Sequence, residues 1–261
     1  MAVFERDPQS GLYTPSSLAA GPFAGLQGGA VAGLLTAEVE ALACERGWGA
    51  GLSAAAWFFR PAPKTRLRTE LSVVRAGGRV SVVDNTLWAE GDADPCATVR
   101  VTLARERAID VTLPARGDDR PAADPTRLPV RKTAAPHGGP WFMDAMEVRP
   151  GDDVVWFRMT AEVVAGAGPL ATVLGPADWA HGIARPVWNV VADPNPNLTV
   201  HLSRPPRGGW IGVRPVTRWE PARGLGMGSG ALLDVEGEIG CVSMAVALTP
   251  LPRSAPVKVD A

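Results

Sequence analysis

The chain has 261 residues, 46% of them hydrophobic and 20% charged, with a formal net charge of −1. That hydrophobic share excludes disorder of the whole chain, and the length allows one large domain or two of ordinary size. The balanced charge gives no electrostatic case for a nucleic-acid partner or an anionic membrane surface. Cys44, Cys96 and Cys241 lack metal-ligand spacing and read as reduced core thiols of a cytoplasmic protein. Met1–Asp7 has no basic segment leading into an apolar core, so no secretory signal is expected. The uncharged run Leu18–Ala37 is too broken by glycines to read as a membrane span.

In chain order, residues 1–20 read as a lead-in with a short strand, and Gly21-Pro22-Phe23-Ala24-Gly25 as a turn. Gln27-Gly28-Gly29 then opens a helix-periodic run in which Ala30, Val31, Leu34, Leu35, Val39 and Leu42 recur at three- and four-residue steps. Gly47–Gly51 ends it. Strands follow at 54–59, 67–75, 80–90 and 97–105, the second alternating apolar Leu67, Thr69, Leu71, Val73 with polar neighbours. Prolines at 114, 121, 125, 129, 136 and 140 mark a linker. A strand is expected at 154–163, a shorter helix within 170–191, and strands at 198–203, 210–216, 230–235 and 240–248.

The second half repeats the first. Arg60-Pro61 recurs as Arg204-Pro205 and Arg79 as Arg223, each 144 positions on; Glu90-Gly91 recurs as Glu236-Gly237, and Ala97–Leu103 as Val242–Leu248. A period this long exceeds any solenoid unit and implies two copies of a domain, with a site expected where they meet. The expected class is α+β, each copy a long helix against a curved antiparallel sheet, the sheets joined into one. The expected divisions are 1–107, a linker at 108–147, 148–252, and a tail at 253–261.

The residues Gly28-Gly29, Phe59-Arg60-Pro61, Arg75-Ala-Gly-Gly-Arg79, Ala177-Asp178-Trp179, Asn195–Pro205, Gly209-Trp210-Ile211 and Asp234–Gly237 together resemble the double-hotdog acyl-CoA thioesterases of the thioesterase II type. The resemblance covers roughly residues 20–105 and 150–250. It implies two tandem hotdog folds and hydrolysis of an acyl-CoA thioester by a water held between an Asp, a Ser or Thr, and a Gln of the second copy. The Asp, which precedes or opens the second helix, falls on Asp178 and the hydroxyl on Thr199. The Gln position falls on Met244, so this chain departs from the pattern there. Gln27, Gly28 and Gly29 would lie by the acyl group, and His181 and His201 are further candidates for the site. In the first copy the places of Thr199 and Met244 are taken by Ala55 and Val99, so a polar site belongs to the second copy. No cofactor is implied, and a homo-oligomer is expected.

The chemistry needs these residue types. A thioester carbonyl is electrophilic enough for an oriented water, which a carboxylate can hold and deprotonate, while helix-start N–H groups can receive the oxyanion. Simpler roles compete: Asp178 as a helix cap, Thr199 as a strand residue, His201 as a surface histidine, His137 as a solvated linker residue. So do two other functions, an acyl-thioester dehydratase or isomerase on the same scaffold, and a non-catalytic acyl-binding protein. Gly224–Gly230 mimics a nucleotide loop but no helix pattern follows it, no metal-ligand cluster is visible, and there is no Gly-x-Ser-x-Gly elbow.

Overall fold

The computed structural model describes residues 2–112, 124–133, 138–182 and 191–250. The strands are β1 (Phe4–Arg6), β2 (Tyr13–Pro15), β3 (Ala50–Phe58), β4 (Leu67–Ala76), β5 (Val80–Ala89), β6 (Ala97–Ala104), β7 (Met146–Pro150), β8 (Val155–Met159), β9 (Val191–Ala192), β10 (Asn197–Leu202), β11 (Ile211–Glu220), β12 (Leu225–Asp234), β13 (Gly237–Ala247) and β14 (Thr249–Pro250). The α-helices are α1 (Gly28–Arg46) and α2 (Pro169–Ala177).

Twelve strands form one sheet in the order β1-β2-β4-β5-β6-β3-β10-β13-β12-β11-β8-β7, and β9 pairs separately with β14. Read outward from its centre, each half carries the same sequence of strands. The halves join where β3 and β10 pair antiparallel, with Thr199 opposite Ala55. Those two residues stand 144 apart, the offset of the repeat, so the approximate two-fold axis relating the copies passes through this pair. Joining the sheets here leaves neither β3 nor β10 as an exposed edge.

Strand alternation selects one face for the core. Ala97, Val99, Val101 and Leu103 of β6, and Leu198, Val200 and Leu202 of β10, are buried on the helix side. Helix α1 is buried almost all round from Gly29 to Ala37, as a helix enclosed by a curved sheet must be. It ends at Gly47, which takes the left-handed conformation (φ 62°) that glycine tolerates. One apolar cluster spans both copies, and a smaller one gathers Val154, Trp156, Trp210 and Leu233.

Helices α1 and α2 run antiparallel across the seam. A Cβ on Gly29 would lie 2.7 Å from the Leu174 carbonyl oxygen, and one on Gly33 3.2 Å from that of Ala171. Glycines one turn apart therefore let the helix backbones touch.

Helix α2, the shorter helix expected within 170–191, starts at Pro169 and ends at Ala177, and i→i+3 turns follow it (Trp179 N–H to Pro176 O, 3.2 Å; Ala180 N–H to Ala177 O, 3.1 Å). The expectation for the cysteines changes. Cys44 and Cys241 are exposed and only Cys96 is a core thiol. Cys241 sits on the outward face of β13, between buried Ile239 and Val242. No described helix is long and apolar enough to cross a membrane.

Candidate active site

A cavity of about 390 Å³ opens at the seam, where the start of α1 meets the end of α2. The first copy contributes the Gly21–Gly25 loop, Gln27, Gly28, Val31, Phe58 and Phe59; the second contributes Asp178, Trp179, His181, Asp193, Asn195 and Ala247. Most of the wall is apolar, with Gln27, Asp178, His181, Asp193 and Asn195 among its polar groups.

Asp178 comes first among these polar groups. It does not open α2; it is the residue that caps its C-terminus, and from there its carboxylate reaches the first turn of α1. Oδ2 accepts the Gly29 N–H at 2.8 Å and a hydrogen bond from Gln27 Nε2, and Oδ1 accepts Asn195 Nδ2 at 2.7 Å. The side chain is almost fully buried. Burial pushes its carboxyl above the ordinary value; His181 and the Asn195, Gly29 and Gln27 donors oppose that without cancelling it.

Gln27 serves both sides. Its Oε1 caps α1 by accepting the Ala30 N–H at 2.8 Å while Nε2 holds Asp178. Gly28 must be glycine-sized, because a Cβ there would lie 3.0 Å from the Phe58 ring and 3.1 Å from Asp178 Oδ2. Its own N–H has no acceptor among the described residues, while its neighbours' N–H groups are taken by Asp178 and Gln27. An unpaired donor at a helix start, inside a cavity, is a ready receiver for negative charge.

The structure separates the other sequence-predicted residues. His181 lines the cavity and is nearly buried. Thr199 and His201 do not line it: they point to the sheet face opposite the helices, because the buried alternation of β10 belongs to Leu198, Val200 and Leu202. Met244 is on the core face of β13 and packs in the apolar cluster; the β13 residue at the cavity is Ala247. His137 falls outside the described residues.

Two residues went unnoticed in the sequence. Asn195 donates to the Asp178 carboxylate, a contact the sequence reading did not anticipate. Asp193, 2% exposed, stands with its Oδ2 3.7 Å from His181 Nε2. Burial raises its carboxyl above the ordinary range, with His181 opposing. Asn195 lay inside a stretch already singled out; Asp193 lies in a loop with no periodic signal.

Residues 18–104 match the acyl-CoA thioesterase N-terminal domain family. The fold as a whole is that of a double hotdog. It is shared with a candidate thioesterase II from Thermobifida fusca (16% identity, 94% of each chain covered, TM-score 0.69). It is also shared with an acyl-CoA thioesterase II from Mycobacterium marinum (15% identity, 97% of each chain, TM-score 0.63). A dehydratase domain of the curacin polyketide synthase is more distant (14% identity, 83% of each chain, TM-score 0.52). No curated protein sequence matches the chain. The thioesterase domain match ends with β6, so every polar group contributed by the second hotdog lies outside it.

Proposed function

We propose that this double hotdog hydrolyses an acyl thioester, an acyl-CoA or a related acyl carrier, with the water held by Asp178. The observation that carries the reading is the meeting of the Asp178 carboxylate with the start of α1 at the floor of an apolar seam cavity, beside the unpaired Gly28 N–H. A carboxylate offers about four lone-pair sites. Gln27, Gly29 and Asn195 fill three, leaving one on Oδ1 for a water. The acyl chain lies along Val31, Phe58 and Ala97, and its carbonyl oxygen takes the Gly28 N–H as negative charge develops. Asn195 replaces Thr199 as the partner that fixes the Asp178 carboxylate.

The test is release of free thiol from acyl-CoAs of graded chain length. Turnover is expected, falling on the order of 10²-fold or more in Asp178→Asn, by analogy with loss of a preorganised oxyanion donor. No release from any substrate, or release unchanged in the variant, refutes the reading. The buried His181–Asp193 pair and the fold shared with a dehydratase domain favour a second reading, addition or removal of water across an enoyl thioester. Hydration of an enoyl-CoA without thiol release would select it.

A further inference from the structure

Two buried side-chain atoms of residues lining the cavity have no hydrogen-bond partner among the described residues. His181 Nδ1 and Asp193 Oδ2 are both unpaired, and both residues are more than nine-tenths buried. Orphaned buried polar atoms are uncommon because each forfeits its hydration. Their backbones are held firmly. A Cβ on Gly228 of β12 would meet the His181 Cβ at 2.6 Å, Thr217 Oγ1 of β11 donates to the His181 carbonyl at 3.3 Å, and the Pro194 carbonyl beside Asp193 accepts the Ala247 N–H at 3.0 Å. The pair is thus placed by three strands of the second hotdog, and both residues line the cavity.

Asp178 is crowded as a proton acceptor, although burial holds its carboxyl above the ordinary value. Three donors already point at its oxygens, and a proton on either oxygen must compete with them. His181 is better placed. A shift of under about 1 Å brings Nε2 within hydrogen-bond distance of Asp193, and unliganded sites commonly show such contacts lengthened. With Nε2–H donated to Asp193, Nδ1 is left as the acceptor of a neutral imidazole.

Resting on the hydrolase reading above, we propose that His181 is the acid–base residue of this site and Asp193 its positioning residue, with Asp178 orienting the water. The water oxygen bonds to the thioester carbon, its proton passes to His181 Nδ1, and the carbonyl π pair moves to the oxygen at Gly28 N–H. The intermediate then re-forms its C=O bond and breaks the C–S bond, and the imidazolium returns the proton to the departing sulfur. A carboxylic acid and a thiol leave, and the histidine is restored.

The experiment uses the full chain and an acyl-CoA that the parent turns over. His181→Ala is expected to lower kcat by about 10²–10⁴-fold, with KM within about threefold, and added imidazole is expected to restore part of the rate. Asp193→Asn, which keeps the side-chain shape, is expected to lower kcat at least about tenfold with KM unchanged. Parental kcat in His181→Ala overturns the proposal, as does a loss that imidazole does not relieve alongside parental kcat in Asp193→Asn. Should His181→Ala fail to fold, Asp193→Asn and His181→Gln decide, and parental kcat in both overturns it. If the parent releases no thiol from any acyl-CoA, the hydrolase reading itself has failed. If the parent is active and only the Asp178 variant is impaired, that reading stands and this one falls.

Discussion

The two ends of the α1–α2 pair are built alike and furnished differently. At one end Asp178 of the second copy sits on the first turn of α1, accepting the Gly29 N–H at 2.8 Å. At the other, Glu40 of the first copy sits on the first turn of α2, accepting the Leu170 and Ala171 N–H groups at 2.9 Å each. Both ends border a cavity, and the second, about 510 Å³, is the larger. Their walls are not equivalent. Asp193 and Asn195 have Gly49 and Gly51 as counterparts 144 positions earlier, and Leu170, the second residue of α2, fills the space against Gly51 where α1 has Gly29. At the Glu40 end both carboxylate oxygens are committed to backbone. At the Asp178 end one backbone N–H and two buried side-chain atoms lack partners among the described residues. A carboxylate on a helix start is thus the shared structural device, and the surplus of unpaired groups is what distinguishes a candidate site from its structural twin.

The comparison breaks most sharply at the carboxylates. Asp178→Asn is expected to lower kcat by about 10²–10³-fold, some 2.7–4 kcal/mol of barrier. The folded Asp178 carboxyl lies above its ordinary value, so the native state holds this proton longer than the unfolded chain does. Parent stability therefore falls relative to the variant as pH rises from the unfolded value through the folded one. Denaturant melts at stepped pH check the slope and thiol release checks the rate.

Backbone contact at the seam ranks next. Gly29→Ala places a Cβ 2.7 Å from the Leu174 carbonyl oxygen and 3.0 Å from the Gly175 Cα, neither of which can swing aside. A loss of about 2 kcal/mol is expected, read as a fall of several degrees in Tm. An unchanged Tm would mean that the helices slide apart at little cost.

The paired Arg-Pro motifs sharpen the contrast between the copies. Arg204 holds Asp234, a fully buried carboxylate that also accepts the Arg207 and Glu236 N–H groups at 2.8 Å each. Burial pushes the Asp234 carboxyl up, but Arg204 and those N–H groups outweigh it and hold the group below its ordinary value. Arg60 binds Asp92 in the open, with 46% of the Asp92 side chain exposed. Arg204→Ala should therefore cost about 2 kcal/mol by stranding a buried charge, while Arg60→Ala leaves Tm unchanged.

The sequence made the duplication legible because antiparallel strands keep landmark residues at fixed offsets, and the Ala55–Thr199 pairing confirms the offset in the sheet. It also singled out Gln27, Gly28, Asp178 and His181, which line the cavity, Gln27 and Asp178 through the family resemblance. It failed at Thr199 and His201 because a one-residue choice of register decides which sheet face a side chain takes. Asp193 and Asn195 were beyond reach for another reason. Both lie between β9 and β10, in a stretch that carries no periodic pattern.

Glu40→Gln is the smallest expected effect and the most discriminating. Glu40 is not in the Asp178 cavity, so thiol release should match the parent within about twofold. Gln keeps one accepting oxygen and loses the other, giving up one of two caps on α2, for a change under about 1 kcal/mol. Its pH course carries the information. Burial holds the Glu40 carboxyl above its ordinary value against the two N–H groups. The native parent thus keeps a proton that the unfolded chain has lost, and rising pH through that interval should favour the Gln variant. The same slope is expected of Asp178→Asn. Matching slopes, with turnover lost in the Asp178 variant and kept in the Glu40 variant, would establish that the two carboxylates share a structural role and that only one is also part of the chemistry. A slope of the opposite sign at Glu40 would mean that its N–H bonds outweigh its burial, and that the two ends differ already in how they hold charge.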